Sequence, residues 1–311
     1  MKYSTSASDW FILNRPPDKD GLIMDIPGFW TLKQLILDIR RIGFGTKLSE
    51  PILILTHHKI ATRLMTRVFR PLAKRRGFRF KRLLGKVSDI PNNCDILQLT
   101  HSVVEDELLD KGYRGVRIIR DPRDVIVSGY LYHQRCGDHE QFVVNEDFSD
   151  DNFRFPTVPW PVDCQNIEAR RDFVSLFNGK SYQTKITELD KEAGIVFEMD
   201  GYAGVTINTM LDWKERSEIL TIKMEDIVAD FDVLFERIFR WLGFEEKVIK
   251  EELVWAQAQD LNRMSVRDIK ENSHISTGKL TKWKEFFTPE IIGEYTNRFG
   301  DAHCILGYDE F

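Results

Sequence analysis

Short apolar runs alternate along this chain with longer stretches in which apolar residues recur every three or four positions. Four runs, Pro51 to Thr56, Asp95 to Thr100, Gly115 to Arg120 and Glu218 to Lys223, are β-branched or Leu-rich and too short for helices, so they predict buried strands. Helical periodicity follows each one, as in Leu64, Val68 and Leu72 after the first and Phe231, Leu234, Ile238 and Phe239 after the last. Strand and helix in alternation predict an α/β fold: a central, mainly parallel sheet flanked by helices on both faces. The loops that leave the carboxyl ends of such strands gather at one edge, where open α/β sheets bind ligands.

The pattern also divides the chain. Residues 50–311 read as one α/β domain, preceded by an N-terminal extension, 1–49, in which Trp30, Leu35, Ile36, Ile39 and Ile42 predict a helix packed on the core. A loop excursion at 138–163 is rich in Phe and acidic residues, and Pro156, Pro159 and Pro161 exclude regular structure from it. Its aromatic residues, Phe142, Phe148, Phe153, Phe155 and Trp160, suit either a substrate wall or structural cover.

Composition narrows the class. With 311 residues and 42% apolar content the chain can bury a full core. No apolar run is long enough to cross a bilayer, and Met1 to Phe11 is too polar for a secretory signal, so a soluble cytoplasmic protein is expected. Cys94, Cys136, Cys164 and Cys304 form no CxxC pair and suggest reduced thiols. His133, Cys136 and His139 lack a fourth ligand at a suitable interval, so no metal is expected.

Charge is unevenly spread. Residues 51–135 hold 17 Lys/Arg against 8 Asp/Glu, a balance of +9 within a chain of net charge −5. A cationic half facing an anionic remainder points to a small polyanionic ligand. The densest basic run, Arg67 to Arg82, reads as a solvated helix face and loop, and no recognisable module supports nucleic-acid binding there.

Two strand ends suit an anion. After Arg120, Asp121 is placed as a helix cap and Pro122 at the first helical position, with Ser128 one face further on. After Leu55, the turn Thr56-His57-His58-Lys59-Ile60-Ala61-Thr62-Arg63 feeds a second helix N-terminus, whose amides and dipole favour negative charge. Lys59 adds a point charge, Thr62 a hydroxyl and Arg63 a fork. The chain contains no GxxxxGK[ST] loop, so a P-loop nucleoside or nucleotide kinase is disfavoured.

These segments resemble the sulfotransferases that use 3′-phosphoadenosine 5′-phosphosulfate (PAPS), most closely the cytosolic type. Arg120 and Ser128 match that family's 3′-phosphate segment. His58-Lys59-Ile60-Ala61-Thr62-Arg63 matches its Pro-Lys-Ser-Gly-Thr-Thr phosphosulfate loop, with Ile60, Ala61 and Arg63 replacing Ser, Gly and the second Thr. Thr100-His101 matches the strand end that supplies the catalytic base, with Leu99 in place of a Lys. Gly278, Trp283 and Lys284 match the C-terminal cofactor loop, where Ser276 and Thr277 replace an Arg-Lys pair.

The resemblance implies a P-loop-like α/β fold and in-line transfer of a sulfonate from PAPS to a hydroxyl or amine, with no metal. It implies His101 as general base and Lys59 at the leaving group. The implied cofactor contacts are Lys59, Ile60, Ala61, Thr62, Arg63, Arg120, Ser128, Thr277, Gly278 and Lys279, and the acceptor is a small molecule or carbohydrate. A nucleotide-binding module of the same fold without catalysis is the alternative. The acceptor and the oligomeric state are left open.

Overall fold

Alternation within the first strand builds the core. In β1 (Ile52–Leu55) the side chains of Ile52 and Ile54 enter one hydrophobic cluster and those of Leu53 and Leu55 another, so both sheet faces are covered. A computed structural model describes residues 48, 50–83, 87, 90–101, 104, 108, 110, 112–136, 180–265, 267 and 280–311. The predicted helix at 30–42, the excursion at 138–163, and Thr277, Gly278 and Lys279 lie outside the described residues.

The four predicted strands are present to within one residue at each end: β1, β3 (Ile96–Leu99), β4 (Arg114–Ile119) and β5 (Ile219–Lys223). A fifth, β2 (Phe80–Leu83), makes the order β2-β3-β1-β4-β5, and every pairing is parallel. This strand corrects the reading of the basic run as helix face and loop. Its sequence, Phe-Lys-Arg-Leu, is half-buried at the sheet edge, where charged side chains are tolerated, so the apolar signal is weak.

Other cations of that run are also committed. The Nε atoms of Arg75 and Arg76 reach the buried Glu252 at 3.1 and 2.8 Å, and Arg79 forks onto Asp95 at 2.8 and 2.9 Å. Arg67, Arg70 and Lys74 do face solvent.

Helix α1 (Thr62–Arg76) follows β1, with Met65, Val68, Phe69, Leu72 and Ala73 turned inward. It stops at Gly77, whose φ of 74° suits a glycine. Helix α2 (Pro122–His133) follows β4. Beyond it come α3 (Tyr182–Glu188), α4 (Lys191–Asp200) and α5 (Tyr202–Leu211), with α2, α4 and α5 packed on one another. After β5 the chain forms α6 (Met224–Ala229), α7 (Phe231–Trp241) and α8 (Glu246–Ala256). It ends in α9 (Trp283–Phe286), α10 (Pro289–Phe299) and α11 (Ala302–Ile305). The larger cluster unites one face of β1, β3 and β4 with α1, α2, α4, α5, α7 and α8. Among the described residues, no helix is long and apolar enough to cross a membrane.

Candidate functional site

At the carboxyl end of β1 the chain turns sharply. Lys59 and Ala61 both adopt left-handed backbone, φ 60° and 51°, conformations that cost a non-glycine residue about 1 kcal/mol each. The surroundings hold the turn in place. Thr56 Oγ1 donates to the Leu99 carbonyl at 2.9 Å, and Ile60 N–H donates to the His57 carbonyl at 3.0 Å. Thr62 Oγ1 lies 3.0 Å from both Thr56 Oγ1 and the His57 carbonyl.

Ala61, the N-cap of α1, offers no side-chain cap. Gln98 on β3 ties the first turn of α1 to the sheet, donating to the Thr62 carbonyl at 2.9 Å and accepting from Thr66 Oγ1 at 2.7 Å. Ile60 is buried in the core, so contact with a ligand there falls to its main chain; Arg63 is exposed. Lys59 reaches across to α2, where its ammonium lies 3.6 Å from the centre of the Tyr132 ring.

The β4 end meets this turn from the other side. Arg120 is buried, and its Nη1 donates to the Lys59 carbonyl at 3.2 Å. Its Nε is buried without a hydrogen-bond partner in the described structure. Asp121 caps α2 as the sequence predicts, accepting from Arg123 N–H at 2.9 Å, and also forks with the Arg123 guanidinium at 3.0 and 2.8 Å. Ser128 lies buried on the same helix.

The C-terminal segment docks against that helix. Asp124 accepts main-chain N–H groups from Thr281 and from Trp283, the latter at 3.1 Å, and Arg123 stacks 3.9 Å over the Trp283 ring. This docking buries Lys282, which sequence reasoning passed over. Burial, with Arg120 beside it, pulls the Lys282 ammonium down to about 8. Burial pushes the Asp124 carboxyl up to about 6, against the pull of Arg120. Two cations held close in a desolvated place, one with an unmet N–H, suit a bound anion.

His101 follows β3 and is partly buried. Desolvation lowers its pKa to about 4, which keeps the imidazole neutral. His57, fully buried, is also held well below the usual histidine range, first by burial and then by Arg117 and His101. The His101 ring lies 6.4 Å from that of His58 and nearly parallel to it, and His58 in turn stacks on His133 at 4.9 Å. Lys59, His101 and Arg120 therefore stand at one sheet edge, linked through the β1–α1 turn.

The His58–His133 contact was not anticipated from sequence. Their Nε2 atoms lie 3.1 Å apart, and His133 Nδ1 is 2.7 Å from Glu198 Oε2 on α4. Both His133 nitrogens are thus engaged by other side chains, and no cluster of metal-binding side chains occurs among the described residues.

A family model described as the sulfotransferase domain matches residues 95–303. The match begins at β3, so the altered Lys59 turn lies before it. No curated protein matches the chain. A solved structure of a mouse sulfotransferase complexed with PAP has 14% identity and a TM-score of 0.44, covering 89% of this chain and 94% of its own. A retinol dehydratase in complex with androsterone and inactive cofactor PAP has 13% identity and a TM-score of 0.42, covering 90% and 87%. Because the domain match takes in β3, β4, α2 and the docked C-terminal segment, well over half of its length, the chain belongs to the sulfotransferase domain family.

Proposed function

We propose that the protein transfers a sulfonate from PAPS to a hydroxyl or amine of a small-molecule or carbohydrate acceptor. The observation that carries this reading is the convergence of Lys59, His101, Arg120 and Lys282 at the tips of β1, β3 and β4. PAPS would supply the activated sulfonate and a stable leaving group, adenosine 3′,5′-bisphosphate (PAP). Arg120, Lys282 and Ser128 would hold the 3′-phosphate. The turn from Lys59 to Arg63, at the positive end of α1, would hold the 5′ end.

Lys59 is suited to stabilise negative charge on the departing oxygen, in the same electrostatic manner as in phosphoryl transfer. A neutral His101 beside the turn can accept the acceptor's proton. Lys282, close to Arg120, takes the place of the Arg-Lys pair that Ser276 and Thr277 do not provide.

Titration calorimetry with PAP beside ATP, ADP and NAD, followed by PAPS with a panel of phenols, alcohols and amines, tests the proposal. Selective PAP binding with PAPS-dependent sulfonation supports it. Binding of ATP in preference to PAP, or PAP binding with no transfer to any acceptor class, overturns it.

One linkage follows from Lys282. A phosphate beside it raises its pKa, so near pH 8 binding draws about half a proton from solution, and affinity declines as pH rises further. Binding enthalpies measured at pH 8 in buffers of different ionisation enthalpy are expected to report this uptake, and Lys282→Met to abolish it. Buffer-independent enthalpies would show that the anion sits elsewhere.

A further inference from the structure

Arg117 and Ile119 on β4 lie across from Thr221 and Lys223 on β5, so strand alternation turns all four side chains to one face of the sheet. There the end of α5, the segment after it and the end of α11 leave a cavity of about 550 Å³, and its lining includes none of Lys59, His101, Arg120 or Lys282. A hollow of that size suits a small organic ligand.

The lining joins an apolar wall to a buried cation. Ile119, Met210 and Leu306 supply the wall, and Ile305, 65% exposed, extends it toward solvent. Arg117, in the same cavity, is 2% exposed. Its Nη2 donates to the Met210 carbonyl at 2.7 Å, but its Nε is buried with no hydrogen-bond partner among the described residues. The Trp213 ring, 4.9 Å from the guanidinium carbon, brings a second buried N–H without a partner, Nε1. Two adjacent donors that lack acceptors call for an oxyanion.

Counter-charge is equally short. Burial pulls the Arg117 guanidinium down to about 10, and Glu215 is the carboxylate that opposes this. Glu215 is a loose partner. Its side chain is 70% exposed and its Oε1 stands 3.6 Å from Arg117 Nη1, beyond hydrogen-bond reach, while its Oε2 accepts from Thr221 Oγ1 at 3.3 Å. Lys223, the other cation of the lining, is engaged by the Gly307 carbonyl and by the Tyr308 ring 4.5 Å away. A water molecule in the cavity meets an N–H but brings no charge.

We propose that this cavity binds a small monocarboxylic acid with an apolar body, at a site separate from that of sulfonate transfer. Glu215 is its placeholder: as the ligand enters, Glu215 swings into solvent and opens the way to the guanidinium and the indole N–H, which then hold the ligand carboxylate. The apolar body packs on Met210, Leu306 and Ile305. A carboxylate fits better than a phosphate. Its two oxygens match two unmet donors, its single charge matches one cation, and Glu215 and Asp226 in the lining repel a doubly charged group.

Phenylbutyrate is the probe, with phenylbutanol as its neutral counterpart. The readout is the Trp213 indole N–H resonance of the full chain, identified by its loss in Trp213→Phe. Phenylbutyrate is expected to move this resonance saturably with a Kd on the order of 1 mM, the strength available to a ligand of that size. The alcohol is expected to bind at least about tenfold more weakly, and Arg117→Met to weaken the acid by a similar factor. Arg120→Met, at the sheet edge, is expected to leave acid binding unchanged. Glu215→Gln is expected to tighten the acid about threefold and leave the alcohol as it was, because a competing carboxylate is gone.

A Trp213 resonance that phenylbutyrate does not move overturns the proposal. So does equal affinity for acid and alcohol, or binding that is lost in Arg120→Met and kept in Arg117→Met. Should Arg117→Met fail to fold, Glu215→Gln at its exposed position decides, and unchanged or weaker acid binding in it is sufficient to overturn. Failure of the protein to bind PAP would sink the sulfotransferase reading and leave this test standing.

Discussion

Lys59→Met is expected to slow sulfonate transfer by about 10²- to 10³-fold while weakening PAP binding by less than about tenfold. The asymmetry follows from where the charge is needed. In the donor, the oxygen bridging sulfur and phosphorus carries little negative charge; in the transition state it takes up the electron pair of the breaking bond. An ammonium held at that point stabilises the second state more than the first. Lys59 is preset for this, because its left-handed backbone, the Arg120 contact on its carbonyl and the Tyr132 ring under its ammonium fix both ends of the residue. Methionine keeps the length and removes the charge. Single-turnover rates with PAPS, set beside calorimetric PAP affinities, check the separation. Equal losses in rate and affinity would mean that Lys59 binds ground and transition states alike.

Much of the sheet was legible because its signals are local. A buried parallel strand declares itself as a short apolar run, and four did so to within one residue. Asp121 and Pro122 announced the start of α2, and the cap is present. β2 was hidden because a half-buried edge strand needs no apolar run, and Lys81 and Arg82 made it look like loop.

For the site, the sequence indicated which strand ends carry polar chemistry, and the parallel order brings Lys59, His101 and Arg120 to one edge. Contacts between distant segments were not legible. Lys282 becomes a neighbour of Arg120 through Asp124, 157 residues from Thr281. His58, His133 and Glu198 meet across separations of 75 and 65 residues. One local signal for that chain existed: Glu198 lies on the buried stripe of α4 with Ile195 and Met199, where a carboxylate demands a partner. His133, ending the apolar run of α2, was an available partner, but periodicity alone could not pair them.

Arg120→Met is expected to weaken PAP binding by about 10²-fold, the value of a charge-assisted contact to phosphate in a desolvated site. The loss should fall on one part of the ligand. If Arg120 meets the 3′-phosphate, adenosine 5′-monophosphate, which lacks that group, should bind wild type and variant alike, and the preference for PAP should largely vanish. If Arg120 acts mainly through its bond to the Lys59 carbonyl, removing it loosens the strained turn and weakens both ligands equally. Lys282 supplies a second check. Arg120 helps to hold its pKa down, so Arg120→Met raises Lys282 toward its ordinary value, and proton uptake on PAP binding at pH 8 shrinks with the affinity. Weaker binding with wild-type uptake would show that Arg120 does not set the Lys282 ammonium, while leaving Lys282 beside the phosphate. Joint loss would show that Arg120 and Lys282 are electrostatically coupled within the site.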